Sequence, residues 1–205
     1  LEEKHHHKEI IKGVLTLPLW LDLKDIRVVH GCWHSPFMDY LAPSLASGNR
    51  LTEELMVLAS QEPENDADKD SPNPTVFKAV EALTKGIEIP LPPPHSFTDN
   101  DGHQRHRVRT RWWDEKAITY RQAAMLDDEL RNQLPDDLLP EHALLGHDGG
   151  KPLSFGPYWL DGVPAPLSGK VACVDYSIAK GGKLVAYRWD GESVLCPSHL
   201  HWVGN

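Results

Sequence analysis

The sequence predicts a fold that mixes helices and strands, of the α+β or α/β class, on three observations. The apolar run Ile26 to Val29 stops at a histidine and a glycine, which is typical of a strand ending in a turn. Residues Thr75 to Lys85 carry apolar side chains at helical spacing, and Gly86 then stands where a helix commonly ends. From Lys170 onwards, apolar segments alternate with glycine-bearing turns, which predicts an antiparallel β meander.

The N-terminal elements follow from local signals. Apolar residues at helical spacing before Pro18 predict the end of a helix, and Leu19 to Leu23 is predicted to be extended, like the run that ends at His30. Thr52 to Ser60 predicts a short helix capped by Thr52. The segment Gln61 to Pro74 is acidic and contains proline, so we expect an exposed loop at 61–74.

The middle of the chain is predicted to contain a hairpin, a strand and a helix. Asp101 and Gly102 form a hairpin-turn dipeptide, and Arg105 to Trp113 alternates arginines with apolar residues, as a strand does. Gln122 to Asn132 is predicted to be helical. The C-terminal strands are predicted at 170–175, 183–189 and 193–196.

Composition limits the functional classes. The 205 residues are expected to form a single domain, 1–205, and the formal net charge of −9 disfavours binding to nucleic acid or to an anionic membrane. The sequence contains no run of about 18 apolar residues, so it predicts no membrane span. The three cysteines, Cys32, Cys173 and Cys196, form no C-x-x-C pair, so a reducing cytoplasm is the expected compartment.

His30 is the first candidate for chemistry. A histidine at the carboxyl end of a strand is held by the sheet and faces the crevice where α/β proteins place their sites. One histidine does not make a metal site, because zinc-like ions need three or four ligands. The pattern alone leaves two readings open, a metal ligand and a plain strand-end histidine. No P-loop, dinucleotide fingerprint or nucleophile motif accompanies it.

Five segments carry a family resemblance: LPLWLDLKDIRVVHGCWH, KGIEIPLP, DGHQRHRVRTRWWD, FGPYWLDGVPAPL and VACVDYSIAKGGKLVAYRWDGE. Together, from about Leu17 to Glu192, they resemble bacterial calcineurin-like metallophosphoesterases related to phosphoprotein phosphatases and diadenosine-tetraphosphate hydrolases. The resemblance covers the C-terminal half of such an enzyme. It implies part of a four-layer α/β/β/α sandwich holding two divalent metal ions (Mn, Fe or Zn) that activate a water for attack on phosphorus.

The resemblance assigns roles to single residues. His30 matches the histidine that ends the family's fourth block and binds the second metal. The fifth block carries a Gly-His in the family, but here Pro157 follows Gly156 and proline cannot ligate. His147, in a GHDGG turn, is a weaker candidate to replace it. The family's Asp-x-His, Gly-Asp-x-x-Asp-Arg and Gly-Asn-His-Glu blocks would lie upstream of Leu1.

The arginines have two readings. By the resemblance, an arginine after a W-x-D strand end contacts the substrate phosphate, which makes Arg121 a candidate, with Arg111 or Arg109 behind it. Guanidinium groups bind phosphate in bidentate fashion. The alternative is a solvated strand face. Trp112 and Trp113 are expected to be core or interface aromatics rather than base-stacking platforms.

The expected function is therefore hydrolysis of a phosphorylated substrate, either a phosphoprotein or a dinucleoside polyphosphate. Because Pro157 replaces a ligand and the upstream blocks are missing, we expect this chain to be impaired or inactive. The alternative is a catalytically dead relative that binds a ligand or partner through the same cleft. Half of a two-sheet sandwich would also leave sheet edges exposed, so self-association is a candidate way to cover them.

Overall fold

A computed structural model describes residues 9–10, 12–99 and 102–204 of the chain. Residues 9–10 and 12–15 are helical, as predicted for the segment before Pro18. The helices that follow are α1 (Ser35–Leu41), α2 (Glu53–Ala59), α3 (Val76–Lys85), α4 (Tyr120–Ala123) and α5 (Asp128–Gln133). The strands are β1 (Trp20–Asp22), β2 (Arg27–Val29), β3 (Glu88–Pro90), β4 (Phe97–Thr98), β5 (Gln104–Arg105), β6 (Arg107–Arg109), β7 (Leu153–Phe155), β8 (Val171–Cys173), β9 (Asp175–Tyr176), β10 (Lys183–Tyr187) and β11 (Leu200–Val203). The predicted mixture of helices and strands is confirmed.

The main sheet has four strands in the order β1-β2-β7-β8. β1 and β2 are antiparallel, as expected for neighbours joined by a short turn, whereas β2, β7 and β8 are parallel. The parallel strands are apolar and form the centre of the core, with Leu153, Phe155 and Val171 at most 1% exposed. Fully buried parallel strands need cover on both faces, and helix α3 lies near the end of β2.

Helix α3 begins and ends where the sequence predicts. Thr75 accepts a hydrogen bond from the Lys78 N–H at its start, and Gly86 adopts a φ of +97° at its end. Its buried residues are Lys78, Ala79, Ala82 and Leu83. The larger apolar side chains expected on the same face as Leu83, those of Val76, Phe77 and Val80, are half-buried. Near the end of the helix, the backbone N–H groups of Gly31 and Cys32 donate to Leu83 O and Ala82 O, which brings the chain after β2 close to α3.

The predicted helix 122–132 is wrong, because the structure divides this segment into α4 and α5. The Arg111 N–H donates to Ala123 O, and the Met125 N–H donates to Arg109 O. These bonds hold the residues after α4 extended alongside β6. Asp127 then caps a new helix by accepting a hydrogen bond from the Leu130 N–H.

The predicted third C-terminal strand, 193–196, is wrong, because the strand lies at Leu200–Val203. β9, β10 and β11 form an antiparallel sheet in the order β11-β10-β9, so the meander itself is present, but residues 193–196 are not a strand. Glu192 accepts hydrogen bonds from the Tyr187 hydroxyl and the Asp190 N–H, and it pairs with His199. These contacts gather 188–199 into a compact loop, so pairing with β10 begins only at Leu200. The predicted strand 170–175 is likewise divided, between β8 in the main sheet and β9 in this one.

Two other predicted segments, the loop 61–74 and the strand 105–113, differ in detail from the prediction. The loop 61–74 is largely exposed, but it contains a 3₁₀ turn at Asp66–Asp70, and Arg107 holds Asp70 with two hydrogen bonds of 2.9 and 2.7 Å. The predicted strand 105–113 is shorter, and its alternation is confirmed around β6, where Val108 and Trp112 are buried.

The edges of the C-terminal sheet are β9 and β11. Residues 201–203 of β11 are exposed, and no strand in the described part of the chain pairs with their outer side. Among the helices described, none is long and apolar enough to cross a membrane.

Candidate ligand-binding site

His30 lies at the carboxyl end of β2 with its side chain exposed. The N–H of Gly156 donates to His30 O at 2.9 Å, because β7 runs parallel to β2 and ends beside it. A Cβ placed on Gly156 would lie 3.9 Å from His30 Cε1. The structure therefore brings His30 and the Gly156-Pro157 pair together at the open end of the main sheet.

Gly31 explains why the chain can turn away at this point. The N–H groups of Gly31 and Cys32 donate to Leu83 O and Ala82 O at 2.7 and 3.0 Å, so they satisfy carbonyls near the end of α3. A Cβ on Gly31 would lie 2.6 Å from Gly86 N, which leaves no room for a side chain. The close approach of strand and helix fixes the backbone that carries His30.

Arg109 binds the segment that contains Pro157. Its Nη1 donates to Pro157 O at 2.7 Å, and its guanidinium lies 4.7 Å from the ring centre of Trp159. The same group lies 5.5 Å from the ring of Tyr158 and 3.6 Å from a carboxylate oxygen of Glu88. Arg109 therefore positions the two aromatic residues after Pro157 rather than facing open solvent.

The described residues do not assemble a metal site around His30. No group of three or more histidine, cysteine, aspartate or glutamate residues within them could hold an ion. Asp175 lies nearby, with its Cβ 3.8 Å from a Cβ placed on Gly156, but its two carboxylate oxygens accept the N–H groups of Trp159 and Ser177 at 2.9 and 3.0 Å. Its lone pairs are thus partly used within the chain.

Two other histidines, His147 and His34, form hydrogen bonds away from His30 and Pro157. His147 Nε2 lies 3.0 Å from Lys151 O, and its Nδ1 accepts the Gly149 N–H at 3.1 Å, so both ring nitrogens serve its own loop. His34 is buried, its Nδ1 caps α1 by accepting the Phe37 N–H, and burial lowers its pKa to about 4. Neither side chain takes the place of the metal-binding histidine that the family has where this chain has Pro157.

A second feature is an open cleft of about 400 Å³ beside the end of β6, which we call the arginine cleft. It brings together the two arginines singled out from the sequence, Arg111 and Arg121, and adds two further cations. Its lining residues are Arg111, Asp114, Lys116, Ala117, Arg121, Gln122 and Arg131.

Arg111 is the cleft residue with the most unusual surroundings. Its guanidinium is partly buried, and in the described part of the chain it has no ion pair or side-chain hydrogen bond. Burial lowers the pKa of Arg111 and the nearby charge of Arg131 lowers it further, whereas the carboxylates of Asp114 and Asp128 offset part of this effect. By contrast, Arg121 donates to Leu134 O and to an Asp136 carboxylate oxygen at 2.9 and 2.7 Å.

Sequence reasoning missed three residues of these two features. Arg131 and Lys116 enter the cleft only because α5 and the turn after β6 fold around it, and no spacing in the sequence indicates this. Trp159 is 60% exposed and adopts a φ of +48°, and its only sequence signal is its place after Gly156-Pro157. Trp112 is buried as expected, in an edge-on contact with Trp113.

Comparisons with protein-family models, with curated proteins and with solved structures found no match to this chain.

Proposed function

We propose that this chain is a relative of the calcineurin-like metallophosphoesterases that binds phosphate-bearing ligands in the arginine cleft, with little or no hydrolysis by the 205 residues present. The observation that carries the proposal is Arg111, a partly buried guanidinium beside a second cation, Arg131. Among the described residues it forms no direct ion pair, and the carboxylates of Asp114 and Asp128 act on it only through longer-range attraction. By the resemblance, the main sheet corresponds to part of a four-layer α/β/β/α sandwich.

The charges of the cleft favour an anion. Arg111, Arg121, Arg131 and Lys116 line it, with the carboxylate of Asp114. Arg121 and Arg131 are paired with Asp136 and Asp128, so the excess positive charge comes from Arg111 and Lys116. A bound phosphate would relieve the repulsion between Arg111 and Arg131 and satisfy guanidinium donors in the fork geometry that phosphate accepts. A solvated arginine face, the other reading of the sequence, does not account for a guanidinium that is partly buried and forms no direct ion pair among the described residues.

The metal chemistry of the family does not fit the described residues. A phosphoesterase of this kind uses two ions that polarise the phosphoryl group and supply an activated water. His30 is exposed and accessible, but Pro157 has no donor atom, and no ligand cluster surrounds them in the described ranges. We therefore assign binding to the cleft and assign no hydrolytic step to these residues.

The first test is the binding of inorganic tripolyphosphate, measured by isothermal titration calorimetry on the purified chain. Arg111→Ala is expected to weaken binding about tenfold, because hydrogen bonds to charged groups contribute about 1.5–3 kcal/mol each. Arg188→Ala is the matched control, since Arg188 is an exposed arginine paired with Asp190 outside the cleft. Equal affinities in the native chain and both variants would reject the cleft as the binding site.

A second candidate function is metal-dependent phosphoesterase activity, in which His30 is one ligand of the second ion. The observation in its favour is the proximity of His30 to the backbone of Gly156, beside the position where the family has its other histidine. Clear metal-dependent hydrolysis of p-nitrophenyl phosphate by the purified chain would support this function over binding alone.

Pro157→His tests the same candidate by restoring the missing imidazole. The variant is made in a chain whose His5, His6 and His7 are replaced by serine, because that cluster would bind added metal on its own. Tighter Mn²⁺ or Zn²⁺ binding that disappears on adding His30→Ala would place both side chains on one ion. Unchanged metal affinity would favour the binding function. The same reversion in a chain that carries the family's upstream blocks separates a damaged enzyme, which gains activity, from a binding module, which does not.

A further inference from the structure

We propose that a small apolar cavity beside the arginine cleft binds aromatic carboxylates of the size of benzoate, with the ring inside the cavity and the carboxylate on Arg111. This feature, which we call the apolar cavity, lies between residues 110–118, α4 and residues 139–146. The inference goes beyond the proposed function, because it assigns a second class of ligand to a feature outside the cleft. It does not require that phosphate binds.

The volume of the apolar cavity matches a single aromatic ring. It measures about 130 Å³, and an apolar cavity of about 150 Å³ is large enough to bind one benzene molecule. Four of the residues that line it, Ala117, Ala123, Leu139 and Ala143, are at most 6% exposed. Three of the four are alanines, whose short side chains leave space that a ring can fill. Filling it with a ring removes apolar surface from water, which favours binding.

Backbone hydrogen bonds hold the walls of the apolar cavity in place. The Leu139 N–H donates to Ile118 O at 2.9 Å, and the Gly146 N–H donates to Trp112 O at 2.8 Å. These bonds join the segment 139–146 to the segment 110–118 at two points. Shifting one segment against the other to close the cavity would break them, and unpaired buried backbone groups are costly.

Arg111 lies where the apolar cavity meets the arginine cleft, because it lines both, together with Asp114 and Ala117. Its guanidinium is partly buried and forms no direct ion pair among the described residues. A guanidinium binds a carboxylate through two parallel hydrogen bonds. A ring in the cavity can therefore place its carboxylate on Arg111.

The charges around the apolar cavity favour a carboxylate over a phosphate. In the described part of the chain, Arg111 is the only cation that lines it, and the carboxylates of Asp114 and Glu115 line it as well. The other three cations of the arginine cleft are not among its lining residues. Two carboxylates would repel a phosphate dianion strongly, whereas a carboxylate brings a single negative charge to a single guanidinium.

The test measures dissociation constants by ligand-observed NMR titration for benzoate, for acetate, which lacks the ring, and for benzyl alcohol, which lacks the charge. The native chain is expected to bind benzoate about tenfold to hundredfold more tightly than acetate, the range expected for burying one aromatic ring. Arg111→Met keeps the aliphatic part of the side chain. It is expected to weaken benzoate binding about tenfold and to leave benzyl alcohol binding unchanged.

Ala143→Leu tests the location, because Ala143 lines the apolar cavity but not the arginine cleft. The larger side chain fills the cavity, so benzoate affinity is expected to fall about tenfold or more, with tripolyphosphate affinity unchanged. Ala186→Leu is the matched control, since Ala186 is an exposed alanine on β10. If circular dichroism shows that Ala143→Leu does not fold, Ile118→Trp takes its place, because Ile118 lines the cavity and is 43% exposed.

The outcomes separate this inference from the proposed function. Equal affinity of the native chain for benzoate and acetate would overturn the inference, and so would undiminished benzoate binding in the folded cavity variant. Benzoate binding that Arg111→Met leaves unchanged would also overturn it. Failure of tripolyphosphate to bind, with benzoate bound by the native chain and lost in the cavity variant, would reject the phosphate cleft and leave the apolar cavity standing.

Discussion

The contact between Gly86 and Tyr158 gives a prediction whose size can be worked out from the structure. Gly86 ends α3 with φ +97° and ψ −177°, a conformation open almost only to glycine, so alanine there costs about 1–3 kcal/mol in backbone strain. A Cβ on Gly86 would also lie 1.9 Å from the Tyr158 hydroxyl oxygen and 2.8 Å from Cζ. Such overpacking adds about 1–3 kcal/mol. Gly86→Ala is therefore expected to lower the free energy of unfolding by about 2–6 kcal/mol.

Tyr158→Phe separates the two contributions. The Tyr158 hydroxyl is buried and makes no hydrogen bond of normal geometry in the described structure, and its near polar neighbour is the Trp112 indole N–H. Its removal alone should therefore cost about 1 kcal/mol or less. Once the hydroxyl is gone, the nearest atom to the new Cβ is Cζ, and part of the clash disappears. The cost of Gly86→Ala should therefore fall by about 1–2 kcal/mol in the Tyr158→Phe background.

Urea denaturation followed by circular dichroism measures all four chains of this double-mutant cycle. Comparison of the four unfolding free energies gives the interaction between the two positions. A loss for Gly86→Ala that is the same in both backgrounds, within about 0.5 kcal/mol, would refute the clash and leave backbone strain as its whole cause.

Three further predictions concern stability. Gly31→Ala should lower the unfolding free energy by about 1–3 kcal/mol in the same urea assay, because its Cβ would lie 2.6 Å from a backbone nitrogen at the end of α3. Arg107→Ala should cost about 1 kcal/mol and make 61–74 more sensitive to limited proteolysis, since Arg107 holds Asp70; unchanged cleavage would contradict this. Although burial raises the pKa of Glu192, hydrogen bonds led by that from Tyr187 hold it at about 2, below its ordinary value of 4.5. The stabilisation is thus present above pH 4.5 and is lost as the pH falls towards 2, and Glu192→Gln should flatten the acid dependence of urea midpoints there.

Local signals in the sequence predicted the elements that depend on local interactions. The strand that precedes His30, β2, ends where the apolar run stops, and α2 follows the threonine expected to cap it. Gly86 ends α3 because it adopts a positive φ, which glycine does easily and other residues rarely do. In each case the residues that decide the structure are close together in the chain.

Distant contacts decided the elements that the sequence did not predict. The break between α4 and α5 follows from hydrogen bonds with β6, and the shift of the last strand follows from the side chain of Glu192. The arginine cleft gains Arg131 for the same kind of reason, since α5 must first turn back towards β6. A periodic pattern carries no information about these pairings.

The parallel sheet also has a consequence for how the protein reaches its fold. β2 pairs with β7 across more than half of the chain, and β8 follows later still. During synthesis on the ribosome, β1 and β2 emerge long before their apolar partners, and closing so long a loop delays the gain from burying them. Folding should therefore be slow and should complete only after β8 has emerged. Until then, the strand that carries His30 is an aggregation-prone edge that a chaperone would protect.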